Sequence, residues 1–189
     1  MSTTDTDPSS ALLAGCLAGD EAAIEALVRQ YEGGVFRFTL SVLNDPIEAR
    51  EVAQETFIAA LKSLRGYRAV SFKAWLFTIA LNLSRSRLRK RKSLERLRHA
   101  LTSLLRLDLQ QRQALPEDMV IQHEKERLVW DVLSNMDEKH RLPLILRYYN
   151  DLSVAEIAEM LGLPEGTIHS RLHIGRERLR VELKKLAGE

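Results

Sequence analysis

Residues 85–92 read RSRLRKRK and place six basic side chains in eight positions: Arg85, Arg87, Arg89, Lys90, Arg91 and Lys92. The chemistry open to such a density is the holding of phosphates, since each neutralised phosphate releases condensed counterions. A solvated surface helix is the plainer alternative. The residues upstream favour the first. On a helical wheel Trp75, Thr78, Asn82, Arg85 and Arg89 fall at i, i+3, i+7, i+10 and i+14, one stripe running from an aromatic through an amide to guanidiniums. An aromatic face stacks on an unpaired base, an amide reads a base edge, and an arginine holds the backbone. Trp75 taken alone reads better as core; Asn82 and the arginines read as nucleic-acid contacts.

A second set lies near the C-terminus. Thr167, His169, Ser170, Arg171, His173 and Arg176 surround a small-residue face that includes Gly166. Small polar groups reach base edges in a major groove while neighbouring arginines reach phosphates. His169 and His173 stand four apart, a metal-compatible pair, but no motif of the HExxH kind accompanies them. They read as groove-facing polar residues.

The elements that must carry these sets are helices. In LSVAEIAEMLGLPEGTIHSRL, Ser153 and Glu156 form a capping box, Gly162 takes a tight turn, and Pro164 suits a helix entry. Ala158 and Ile168 sit at helix-turn-helix spacing, and Ile168, Leu172, Gly175 and Leu179 make the inward stripe. A plain helical hairpin is the alternative, but cap, turn and both stripes agree. The central basic run continues a helix whose inward stripe is Phe72, Leu76, Ile79 and Leu83. Before it, Asp20 caps a helix carrying Leu27, Tyr31, Val35 and Leu43. A further helix has Val52, Ala53, Thr56, Phe57 and Ala60 on one face, Glu48, Arg50, Glu51, Gln54 and Glu55 on the other, and Gly66 at its end.

Residues 93–122 turn Gln-rich and contain a proline, so they read as a partly helical linker. Its Leu101, Leu104, Leu105 and Leu107 are docked or loose. The pattern resumes with a helix that turns Leu128, Val129, Val132 and Leu133 inward. The next is capped by Asp137 and predicted to kink, or to begin with an irregular turn, at Pro143. No segment alternates as a strand does. The expected fold is all-α, two small helical domains joined by a linker. Its parts are a flexible tail over 1–18, a first helical domain over 19–95, the linker over 96–122, and a helix-turn-helix domain over 123–189.

Composition narrows the function. The net charge of +2 hides residues 62–98, which carry twelve basic side chains and one acidic. The single Cys16 permits no internal disulfide, and no Cys/His cluster has zinc spacing. No apolar run reaches the ~18 residues of a membrane span, and the polar start lacks the features of a signal peptide. There is no P-loop and no acid–base constellation, so neither cofactor nor catalysis is expected. A cytoplasmic, non-enzymatic, polyanion-binding protein fits.

These motifs, in this order, resemble the sigma-70 family of bacterial transcription initiation factors, most closely its extracytoplasmic-function (ECF) class. EAREVAQETFIAAL resembles that family's polymerase-docking helix, SFKAWLFTIALNLSRSRLRKRK its promoter-melting helix, and LSVAEIAEMLGLPEGTIHSRLHIGRERLR its upstream-element reader. The resemblance implies that Glu51, Gln54, Glu55 and Phe57 dock on core RNA polymerase. It implies that Tyr67, Ser71, Trp75, Asn82, Arg85, Arg87 and Arg89 meet the −10 element, and that Thr167, His169, Ser170, Arg171, His173 and Arg176 meet the −35 element. It also implies an anti-sigma partner. Leu81, His169 and Gly175 stand where the family usually has a basic residue, a lysine and an alanine, which bears on the promoter sequence more than on function. The rivals are a stand-alone helix-turn-helix repressor and a helical scaffold or enzyme whose basic block binds another polyanion.

Overall fold

The computed structural model describes residues 7–68, 71–105 and 124–187, with side chains described for 7–68, 71–94 and 129–185. The helices are α1 (Ser10–Ala18), α2 (Glu21–Leu43), α3 (Pro46–Ser63), α4 (Phe72–Leu105), α5 (Glu124–Ser134), α6 (Glu138–Tyr148), α7 (Val154–Leu161) and α8 (Glu165–Ala187), with a 3₁₀ turn at Leu64–Gly66. Among the described residues there is no strand.

The first half is built on α2, α3 and α4. Asp20 accepts from the Ala22 amide at 3.0 Å and starts α2. Asn44 ends it in the left-handed region at φ 53°. Asp45 then accepts from the amides of Ile47 and Glu48 at 2.9 and 3.0 Å, with Pro46 in the first helical position, so α3 begins at once. Phe38 and Phe77 meet edge to face at 5.3 Å, and both are fully buried with Tyr31, Phe72 and Leu76. Each such side chain contributes about 1.5–3 kcal/mol on burial.

Three expectations change. Residues 10–18 are not part of a loose tail: Ser9 accepts from the Leu12 amide at 3.2 Å, and α1 packs on α2 with Cys16 buried. Its Leu12 and Leu13 have an apolar face to cover, which polarity of the first residues concealed. The helix from Phe72 does not stop at the expected linker boundary. It contains no glycine or proline and runs 34 residues to Leu105, about 50 Å. Residues 106–122 of the expected linker, Leu107 among them, lie outside the described residues, as do residues 1–6 of the tail and the side chains of Leu101, Leu104, Leu105 and Leu128.

The third concerns α6, which is continuous through Pro143. The carbonyl deprived of a partner is that of Lys139, an exposed residue one turn from the helix start, while residues 140–146 are all buried and hold the helix by packing. Asp137 occupies the N-cap position without capping, because its carboxylate accepts instead from Arg178 at 3.1 Å.

α5, α6 and α8 pack together, and α7 closes on α8. Gly175 makes the α6–α8 approach possible. A Cβ there would lie 2.9 Å from Leu144 Cδ1 and 3.3 Å from the His140 carbonyl oxygen. The two halves also touch: α2 meets α6 and α4 meets α7, and one apolar cluster draws residues from both.

Candidate nucleic-acid interface

α7 and α8 form the helix-turn-helix that the sequence predicts. Ser153 Oγ accepts from the Glu156 amide at 3.2 Å, and the Ser153 amide donates to Glu156 Oε2 at 2.7 Å, completing the capping box. Gly162, at φ 65°, ends α7, and the Leu163 amide returns to the Ala158 carbonyl at 2.9 Å. Ile168 and Leu172 are buried beneath α8. The opposite face is open: His169, Ser170, His173 and Arg176 are exposed, and Thr167 and Arg171 are half-buried at its edge. Ser170 Oγ donates to the Gly166 carbonyl at 3.0 Å, and Arg176 reaches the Tyr148 hydroxyl at 3.3 Å. The six residues thus share one end of one rigid helix.

On α4 the stripe is half-buried at Trp75, Thr78 and Arg85 and open at Asn82 and Arg89. Ser71 caps the helix, its Oγ accepting from the Ala74 amide at 3.2 Å. Asp7 supplies a second cap, accepting from the amides of Phe72 and Lys73 at 3.2 and 3.3 Å. Trp75 is half-buried between Tyr67 and Phe72, with ring centroids 5.0 and 5.4 Å away. Burial, then the nearby Asp7 carboxylate, push the Tyr67 phenol up from its ordinary value. Residues 69–70 of the loop before the helix lie outside the described residues. Asn82 and Arg89 are exposed.

The basic run divides by partner. Arg87 forks across two carboxylates of α3, Glu51 and Glu55, at 2.8 Å each. Arg91 holds Glu48 at 3.1 Å, and Arg85 lies 3.7 Å from Glu138 of α6. Arg89, Lys90 and Lys92 are exposed, and no ion pair among the described residues involves them. Half of the cationic block therefore fastens α4 to its neighbours and half faces outward. Sequence pattern could not separate the two, because the pairing carboxylates lie some 30 to 50 residues away.

α3 presents the third surface. Glu51, Gln54 and Glu55 are exposed, but Phe57 is not. It is 8% exposed and helps line a groove of about 450 Å³ between α2 and α3, with Val28, Phe36, Arg50 and Gln54. The exposed apolar residues of this helix are Ile47 and Ile58, at 66% and 52%. Ile47, Glu51, Gln54 and Ile58 recur at i, i+4, i+7 and i+11, one helical stripe whose periodicity is present in the sequence itself.

Residues 27–94 match the family model for Sigma-70 region 2, and residues 132–181 match that for Sigma-70 region 4. The chain belongs to the sigma-70 family, in its ECF class. The ECF RNA polymerase sigma factor SigW of Bacillus subtilis is 32% identical over 173 residues, covering 89% of this chain and 92% of that one. The ECF RNA polymerase sigma factor SigL of Mycobacterium tuberculosis is 31% identical over 178 residues, covering 93% and 97%. Among solved structures, the sigma factor RpoE of Bartonella quintana, bound to the anti-sigma factor NepR, is similar in fold with a TM-score of 0.64 at 23% identity, covering 85% of this chain and 96% of that one. CnrH, bound to the cytosolic domain of CnrY, gives 0.61 at 24%, covering 93% and 96%.

The outer faces of α3 and α4 thus fall in region 2 of this sigma factor, and the α8 face falls in region 4. Its role is transcription initiation, and sigma factors as a family are not enzymes. Among the described residues no group of side chains could hold a metal ion, and no helix is long and apolar enough to cross a membrane.

Proposed function

We propose that this sigma factor divides promoter recognition between two helices and polymerase docking onto a third. The exposed stripe of α3, from Ile47 through Glu51, Gln54 and Glu55 to Ile58, docks on core RNA polymerase. The α8 face reads the −35 element: Thr167, His169, Ser170 and His173 at base edges, Arg171 and Arg176 at phosphates. The outer stripe of α4 holds the −10 element, with Asn82 at a displaced base, Arg89, Lys90 and Lys92 on the backbone, and Tyr67, Ser71 and Trp75 forming the wall beside them. Arg87 serves α4 by fixing it to α3, a change from the role its sequence position implies. Arg85 joins the DNA set once it leaves Glu138.

The observation that carries this reading is the exposure of both cationic reading faces, each on a helix anchored from its opposite side. Opening DNA costs about 1.4 kcal/mol per base-pair step, and capturing a base returns about 1–3 kcal/mol. One captured base roughly offsets one or two steps, so the chain alone does not melt a promoter and polymerase must supply the remainder. The protein acts in the cytoplasm, performs no chemistry of its own, needs no cofactor, and is bound by an anti-sigma factor, as RpoE is in its complex with NepR. Run-off transcription with core polymerase tests the division: Ser170→Ala should abolish initiation at −35-dependent promoters, and Asn82→Ala should permit binding while blocking opening. A chain that initiates equally well with both changes would end this assignment.

A further inference from the structure

The first turn of α4 begins with amides that no earlier turn of the helix can satisfy. Two of them are met on the spot. Ser71 Oγ accepts from the Ala74 amide at 3.2 Å, and the Ser71 carbonyl accepts from the Trp75 amide at 3.1 Å. The other two, those of Phe72 and Lys73, are met from 65 and 66 positions away: Asp7 Oδ2 accepts from Phe72 at 3.2 Å and Asp7 Oδ1 from Lys73 at 3.3 Å. A helix is ordinarily capped by the residue just before it. Here a second, distant carboxylate forks over the same turn and ties the start of the chain to the start of α4.

Asp7 is delivered to that turn by a fixed stretch of chain. Pro8, half-buried, has a locked φ and biases Asp7 to an extended backbone. Ser9 then caps α1, and its carbonyl accepts from the Leu13 amide at 3.1 Å. α1 is pinned to α2: Leu12 and Leu13 pack on the core, Cys16 is buried, and Gly15 lies so close to α2 that a Cβ there would come 2.7 Å from Ala23 Cβ. The amides of Gly19 and Asp20 return to the carbonyls of Cys16 and Gly15 at 3.2 and 3.1 Å and close the corner between the two helices. The turn that Asp7 holds carries Phe72 and Trp75, whose rings lie 5.6 and 5.0 Å from that of Tyr67. A carboxylate beside a surface that meets phosphates repels them, so the charge of Asp7 works against DNA binding. What the residue contributes is the geometry it fixes.

We propose that Asp7 is a positioning residue for promoter opening: by clamping the first turn of α4 it holds the wall of Tyr67, Ser71 and Trp75 in the shape that receives the displaced base. The proposal rests on the assignment of that wall to the −10 element. Capturing a base only about offsets the opening of one or two steps, so any ordering left to the moment of capture comes straight off the yield of open promoter. A first turn already tied down spares that ordering. Binding of the −35 element by α8 draws on none of these groups. Loss of the clamp therefore separates the two activities.

The test uses the full chain with core polymerase on a promoter recovered by run-off transcription. Opening is read from 2-aminopurine placed in the −10 element, and duplex binding from a fragment that carries the −35 element alone. Asp7→Ala should lower opening about fivefold, the scale of one lost helix cap, and leave −35 binding within about twofold. Asp7→Asn keeps the acceptor oxygen without the charge and should restore opening to within about twofold of wild type. In a Trp130→Phe background, which leaves Trp75 as the one tryptophan, Asp7→Ala should also raise quenching of the Trp75 emission by acrylamide. Opening by Asp7→Ala at the wild-type level, or above it because a repelling charge is gone, overturns the positioning role. So does an Asp7→Asn chain as poor as Asp7→Ala, and so does an equal loss of opening and −35 binding, which marks a contact that merely stabilises the fold. In each of these cases Asn82→Ala, run alongside, still blocks opening and the −10 assignment stands. An Asn82→Ala chain that opens the promoter normally overturns that assignment and the role of Asp7 with it.

Discussion

Arg87 offers the sharpest division between a structural and a DNA-binding cation. Its side chain is 26% exposed and its partners Glu51 and Glu55 are 54% and 50% exposed, so both pairs are screened by water. Exposed pairs contribute about 0.2–1 kcal/mol each, and the fork geometry puts the sum near the upper half of that range, about 1 kcal/mol in total. For a chain of this size Arg87→Gln should lower Tm by roughly 2–4 °C. Because the Debye length shrinks to ~3 Å in 1 M salt, most of that loss should vanish there. The companion measurement is DNA affinity against salt concentration with the holoenzyme. Arg87→Gln should leave the slope unchanged, whereas Arg89→Gln should reduce it by about 0.9, the value of one lost phosphate contact. A double-mutant cycle with Glu51→Gln should recover a coupling of at least about 0.5 kcal/mol. If Arg87→Gln left Tm untouched and reduced the salt slope instead, the fastening of α4 to α3 would be wrong and the reading from sequence position would return.

Other consequences follow from the same geometry. His140 is 4% exposed, and its imidazole sits below the usual value near 6.5 because of burial first, then the charges of Arg178 and Lys139, with Asp137 pulling weakly the other way. The fold therefore prefers the neutral ring: its contribution is complete above pH ~6.5 and declines as pH falls below it. Differential scanning calorimetry from pH 7.5 to 5.5 should show a falling Tm, and His140→Gln should flatten the profile; a Tm that climbs on acidification would contradict this. Gly162→Ala forces a Cβ into the left-handed region and should cost about 1–2 kcal/mol, read by urea unfolding. Ser153→Ala removes half of the capping box and should cost about 1 kcal/mol in the same assay.

Much of this molecule was legible in its sequence, and what was not follows a physical pattern. Local signals were read correctly: Asp20 as a cap, the Ser153–Glu156 box, the Gly162 turn, and the buried stripe of Ile168 and Leu172. Each depends on residues within one or two turns of each other. Asp137 stands at the N-cap position its sequence predicts, but its carboxylate does not cap, because Arg178, 41 residues away, takes it. The helix is not interrupted at Pro143, because the packing of residues 140–146 outweighs one lost backbone bond. Likewise the cationic run announced itself plainly, yet which of its members pair with α3 and α6 depends on tertiary approach. Phe57 illustrates the remaining ambiguity: a large apolar residue beside a polar face can be a contact or a core residue, and only the burial against α2 decides. On the same helix Ile47 and Ile58 were findable by periodicity.

The most direct test of the account is run-off transcription from a fragmented genomic DNA pool. The chain is added to sigma-free core polymerase, and a Gln54→Ala/Ile58→Asp variant is run alongside. The account predicts transcripts from a few discrete sites that share two spaced elements, and their loss with the variant, whose fold both exposed positions should leave intact. Absence of transcripts, together with tight duplex binding by the chain without polymerase, would contradict it.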